Sequence, residues 1–175
     1  SDLMLAGGVN ASIPAEVFMV FCQLGALSRK SRIRPFAADA DGTLLGEGLG
    51  IVVLKRLADA RRDGDRIYAI LKGVGQASDG RALGLLAPRL EGEELAIARA
   101  YRETGIDPRG VTLIEAHGTG IPLGDKTEIA ALARVMSARR GDLPICALGS
   151  VKSMISHCIP AAGIAGLIKT ALALY

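Results

Sequence analysis

Tryptophan is absent from this 175-residue sequence, and phenylalanine and tyrosine together make up only 3% of it. A core built here cannot rest on large aromatic anchors, so Ala, Val, Leu and Ile must fill it. Half of the residues are hydrophobic, which excludes a disordered chain. A strong charge of one sign is also missing. The net charge is +3 and scattered, too little for a nucleic-acid surface. The single basic run, Arg29 to Arg34, reads as a solvated turn. No apolar run is long enough for a membrane span, since the longest, Ala161 to Tyr175, is broken by Lys169. No secretory leader is visible. Cysteine is scarce: Cys22, Cys146 and Cys158 form an odd set without metal-ligand spacing. They point to a reducing, cytoplasmic compartment and to no metal site. Cys22, between Phe21 and Gln23, reads as buried packing. Gly46, Gly48 and Gly50 lack the spacing of a dinucleotide loop, and no phosphate-binding lysine motif follows.

Histidine is the most informative scarcity. There are two, and each sits in a small-residue motif. His117 lies in Glu115-Ala116-His117-Gly118-Thr119-Gly120, followed by Gly124, Asp125 and Glu128. His157 lies five residues after Lys152 and precedes Ala161-Ala162-Gly163. Two rare titratable side chains in permissive loops, one near a lysine, read as parts of one site.

Periodicity predicts alternating strands and helices. Leu3 to Ala6 reads as a strand ended by Gly7 and Gly8, and Ala15 to Leu27 as an apolar helix. Arg34 to Gly42 is a loop with Asp41-Gly42 as its turn signal. Ile51 to Leu54 reads as a strand, Leu57 to Arg62 as a helix closed by Gly64, and Ile67 to Val74 as a second strand. After a loop near Ser78 to Leu90, Glu93 to Thr104 reads as a helix stopped by Gly105 and Pro108. Val111 to Ile114 is a strand leading to His117, and Asp125 to Ala138 a helix. Ile145 to Leu148 is a strand leading to Lys152, and Ala161 to Leu174 a helix. The order implies a layered α/β fold with chemistry at strand ends. The loop divides the chain into residues 1–86 and 87–175. The sequence opens inside an apolar run and closes inside a helical pattern, as expected of a piece of a larger protein.

Each candidate has a structural alternative. His117 follows a strand, and Gly118 and Gly120 would let a substrate approach the backbone; a histidine packed in a turn would look the same. Asp125 with Glu128 three residues on resembles a capping box, the favoured reading for Asp125. Glu128 can instead face inward and pair with a cation. Lys152 near the imidazoles would disfavour their protonation by like-charge repulsion, and a neutral imidazole offers one N–H donor to an oxyanion. An isolated lysine would otherwise be read as surface. Cys158 is beside His157, but neighbouring side chains point apart, which argues against a thiol–imidazole pair.

Taken together, the two histidine motifs, Gly124-Asp125-x-x-Glu128 and Lys152-Ser153 closely resemble the β-ketoacyl synthase (ketosynthase) domain of bacterial polyketide and fatty-acid synthases. Further matches are Ala6 to Asn10, Arg34-Pro35-Phe36, Asp39 to Gly42, Gly46 to Gly50, Val53 to Leu57 and Ser78-Asp79-Gly80. The resemblance implies a thiolase-like, layered αβαβα fold of two similar halves. Residues 1–86 would end the first half, and 87–175 would make up most of the second and carry both histidines.

The implied reaction is decarboxylative Claisen condensation of an acyl thioester with malonyl-acyl carrier protein. The substrates ride on 4'-phosphopantetheine of the carrier, no cofactor binds the enzyme directly, and the full-length protein is a homodimer. By position, His117 and His157 match the histidines that promote decarboxylation and hold the thioester oxyanion. Lys152 matches the lysine that organises the site, Glu128 its ion-pair partner, and Thr119 a threonine near the pantetheine arm. The family's nucleophilic cysteine lies upstream of Leu3 and its glycine-rich loop downstream, so this stretch alone is expected not to condense. Ile121 stands where many relatives have threonine, and Ser156 where they have glycine, which alters the loop if that position needs a positive φ. The alternatives are a decarboxylase-only domain, a non-catalytic ketosynthase-like partner, or a binding module for acyl carrier protein.

Overall fold

The computed structural model describes residues 1–81, 87–136 and 146–175. The expected division between residues 86 and 87 borders the undescribed 82–86, and the expected helix end at Ala138 and strand start at Ile145 lie outside the described residues.

Strand β1 (Leu3–Asn10) pairs antiparallel with β2 (Gly48–Lys55), in the register Leu3 to Lys55 through Asn10 to Gly48. Helix α1 (Ala15–Gln23) lies between them in sequence. Both strands run further than the apolar pattern alone indicates, because their glycines are ladder residues rather than stops. Gly8 and Gly50 are paired neighbours on one face. A Cβ on Gly8 would stand 2.4 Å from the Pro160 carbonyl oxygen, and one on Gly50 2.8 Å from Ile164 Cγ2. This glycine stripe lets the segment after His157 lie almost directly on the sheet. The opposite face carries Leu5, Val9, Leu49, Ile51 and Val53, all exposed.

Helix α1 ends at Gln23, earlier than expected, with Gly25 in the left-handed region just beyond. None of its residues is buried, and Cys22, expected in packing, is exposed. An apolar helix becomes core only where a facing surface exists; Phe18, Met19 and Val20 remain 42–58% exposed. Helix α2 (Leu57–Asp63) closes as expected at Gly64, whose φ of 72° gives the left-handed C-terminal cap. Ile67 to Val74, expected as a strand, forms none and bends at Tyr68. A short apolar run makes a strand only with a ladder partner, and none of the described strands pairs with it.

Helix α3 (Leu90–Thr104) ends at Gly105 and packs on α4 (Pro122–Met136). Between them β3 (Leu113–Glu115) pairs in parallel with β4 (Ala147–Gly149). The short α5 (Lys152–Ile155) follows β4 directly. A 3-10 turn over Ile159–Ala161 then leads into α6 (Ala162–Leu174), which packs on β1, β2 and β3. Among the described residues no helix is long and apolar enough to cross a membrane.

Candidate active site

The site forms where the loop after β3 meets the turns after β4. Two carboxylates on α4 hold four consecutive backbone N–H groups of the first loop. Glu128 accepts from His117 N at 2.6 Å and from Gly118 N at 2.8 Å. Asp125 Oδ1 accepts from Thr119 N at 3.1 Å and Gly120 N at 3.2 Å, while its Oδ2 accepts from Phe36 N at 2.7 Å. The loop can turn its N–H groups inward because Gly118 and Gly120 stand at φ 41° and 78°, a region that favours glycine.

This arrangement overturns the capping-box reading. Helix α4 begins at Pro122, so Asp125 lies inside its first turn rather than at its N-cap. Asp125 is 5% exposed and ties the histidine loop to the Phe36 segment. The sequence held a signal for this: proline is favoured at a first helical position. Glu128 makes no direct ion pair with Lys152; its two oxygens accept loop N–H groups, and its charge acts on Lys152 through space. Gly118 and Gly120 are buried with their N–H groups engaged, so they offer close backbone approach but no free N–H donors. Thr119 is buried too, and its hydroxyl accepts the Ile121 N–H at 3.2 Å.

Lys152, at 4% exposure, points into the site. Its ammonium donates to the His117 carbonyl and stands 3.4 Å from His117 Nδ1. Ser150, which no motif or spacing singles out, donates to the Gly118 carbonyl at 2.9 Å and closes the loop from the other side. His157 is fixed by its backbone and its ring. Its N–H donates to Leu44 O at 2.8 Å, and its Nδ1 accepts the Ile159 N–H at 3.0 Å. The two imidazoles meet edge to face with centroids 5.7 Å apart.

An ammonium has only hydrogens to offer, so the lone pair of His117 Nδ1 faces Lys152; the Ile159 N–H likewise claims the lone pair of His157 Nδ1. Both neutral rings therefore carry their proton on Nε2. Their neutrality is also favoured. Desolvation by its surroundings and then Lys152 lower the His117 pKa, although His117 keeps a face open to solvent, and burial, Lys152 and His117 bring His157 down to about 4. Like-charge repulsion acts as the sequence indicated, but desolvation is the larger cause. Burial lowers the Lys152 pKa, against the opposing pull of Glu128, Glu115 and Asp125. Two imidazoles held this close can each offer an N–H to a developing oxyanion.

Cys158 is 1% exposed, and burial raises its thiol pKa. Its sulfur lies against Glu47 O at 3.3 Å, as a packed thiol does. Ser156 stands at φ 67° and ψ 179°, a combination essentially reserved for glycine. Replacing Ser156 by glycine is expected to stabilise the full-length protein by about 1 kcal/mol, the strain relieved exceeding the chain entropy added. Unfolding followed calorimetrically in both variants checks this; a less stable glycine variant would mean that the serine is not strained.

Comparison with known proteins gives the same answer over the whole chain. Residues 1–60 match the family described as "Beta-ketoacyl synthase, N-terminal domain", and residues 68–175 the one described as "Beta-ketoacyl synthase, C-terminal domain". A phenolphthiocerol/phthiocerol polyketide synthase polypeptide of Mycobacterium bovis is 47% identical over 171 residues, covering 98% of this chain and 9% of that protein. A polyunsaturated fatty acid synthase polypeptide of a Thraustochytrium species is 40% identical over 175 residues, 99% of this chain and 6% of that protein. The solved ketosynthase from module 6 of the bacillaene synthase of Bacillus subtilis superposes with a TM-score of 0.93 at 40% identity, over 98% of this chain and 31% of that one. The chain thus has the thiolase-like ketosynthase fold and spans about a third of that solved ketosynthase chain.

Proposed function

The chain belongs to the β-ketoacyl synthase family, and from that premise we propose that it supplies the decarboxylating half of a condensing active site in a polyketide or fatty-acid synthase. The observation that carries this reading is the pair of imidazoles meeting edge to face, with Lys152 beside Nδ1 of His117 and the Ile159 N–H on Nδ1 of His157, an arrangement that favours neutral rings protonated on Nε2. A malonyl thioester bound beside them breaks its bond to the carboxylate carbon. Carbon dioxide leaves, and the electron pair moves into the thioester, where the enolate oxygen takes the Nε2–H bonds of His117 and His157. The enolate carbon then attacks an acyl thioester carried on a cysteine supplied from outside these residues. The new C–C bond forms as that thiolate leaves, so the protein acts as an acyltransferase. Cys158 is too enclosed to be that nucleophile.

Lys152 keeps His117 in its donating tautomer and opposes its protonation, while Glu128 holds the His117 loop through its backbone. Thr119, Gly118 and Gly120 form the floor along which a 4'-phosphopantetheine arm approaches, with malonyl and acyl groups delivered by acyl carrier protein to a homodimer. The 175 residues alone hold only part of this machinery and are inactive.

The test is turnover of acyl and malonyl thioesters by the full-length protein, with carbon dioxide and β-ketoacyl product both counted. Equal amounts of the two are expected. Carbon dioxide without a new C–C bond would leave a decarboxylase only, and neither product would remove the reading.

A further inference from the structure

Glu115 shares a motif with His117, yet decarboxylation and condensation give it no task. It ends β3 opposite Gly149 in the parallel register, and its side chain is only 10% exposed. One carboxylate oxygen accepts the N–H of Val151, the residue before Lys152, and the other meets Lys169 Nζ on α6 at 2.7 Å. Glycines leave room for both groups. A Cβ on Gly166 would lie 3.2 Å from Glu115 Cγ, and one on Gly149 would lie 3.3 Å from Lys169 Nζ. The end of β3, the turn into α5 and the middle of α6 therefore join at one carboxylate.

Two cations compete for that carboxylate. Lys169 is bonded to it, whereas Lys152 feels its attraction without touching it and donates instead to His117. Resting on the ketosynthase reading, we propose that Glu115 and Lys169 are positioning residues for His117. Glu115 anchors the Val151 N–H and so fixes where Lys152 starts. Lys169 neutralises Glu115 and leaves Lys152 free to face His117 Nδ1. Withdrawing either partner moves Lys152 off the imidazole, removes the like charge that opposes protonation, and frees the tautomer.

The test is the pH profile of malonyl decarboxylation by the full-length protein. Glu115→Ala unties Val151. Lys169→Met leaves the carboxylate to draw Lys152 toward itself, and Lys169 is exposed enough to be replaced without emptying a core site. His117 also faces the Glu128 and Asp125 carboxylates and the His157 ring, and in both variants it loses the opposing Lys152 charge, so it is expected to protonate more readily and the acid limb to move to higher pH. Misplacement of the ring should slow the plateau by up to roughly 10²-fold. The double variant Glu115→Gln, Lys169→Met keeps an acceptor for Val151 with no net charge to attract Lys152, and is expected to restore the wild-type limb.

Folded single variants with an unmoved limb, or a double variant that restores nothing, would overturn the proposal. Failure of both single variants to fold would overturn it as well, by making the pair a fold contact. Failure of the underlying reading looks different: the wild type would not decarboxylate malonyl thioester, or His117→Ala would be as active as the wild type.

Discussion

Alanine in place of His117 is expected to slow malonyl decarboxylation by the full-length protein roughly 10²–10³-fold, the range for removing one oxyanion donor. The variant is informative because the main-chain contacts of this residue do not need the ring. His117 N would still donate to Glu128, and the His117 carbonyl would still accept from Lys152. The loop keeps its anchors and loses only the imidazole, so binding of the malonyl thioester should change much less than the rate. Decarboxylation within about threefold of the wild type would remove His117 from the chemistry and leave its motif as a packing device. A loss matched by an equal loss of substrate binding would place the ring in recognition rather than in the reaction.

Local signals in the sequence told of much of this site, and long-range ones did not. Two scarce histidines after strands, and a lysine five residues before one of them, were enough to mark His117, His157 and Lys152 as one constellation. The structure joins them, with Lys152 on His117 and the rings edge to face. Gly64 and Gly105 stop helices where expected because a left-handed cap is a local requirement. Local pattern misled where the partner is distant. Gly7 and Gly8 look like a strand stop until β2 and the Pro160 segment are placed beside them. Ile67 to Val74 has an apolar run and no described ladder, and Cys22 has apolar neighbours in sequence but remains exposed. Asp125 shows the clearest conflict. Its spacing to Glu128 fits a cap, yet Pro122 already opens the helix, and the carboxylates hold the loop just before it while Asp125 also reaches Phe36, 89 residues away. The Glu115–Lys169 pair spans 54 residues, beyond any periodicity.

The same geometry makes Asp125→Ala the substitution expected to weaken the fold most. Its carboxylate is the acceptor for three backbone N–H groups, those of Phe36, Thr119 and Gly120. Thr119 and Gly120 are buried, so two of those donors would be left in protein with no partner, and the third would lose the tie that holds the Phe36 segment. An unsatisfied buried donor costs about 1–3 kcal/mol, which puts the combined loss at roughly 3–5 kcal/mol, a large part of a domain's stability. Asn at this position keeps one oxygen but turns an N–H2 group toward one of the donors, so Asp125→Asn should fall between the wild type and Asp125→Ala. Thermal unfolding of the three full-length proteins, followed calorimetrically, orders them. A loss below about 1 kcal/mol in Asp125→Ala would show that water reaches the loop and replaces the carboxylate. Activity should fall with stability here, unlike in His117→Ala, because the N–H groups that Asp125 holds set the path of the loop from which the imidazole projects.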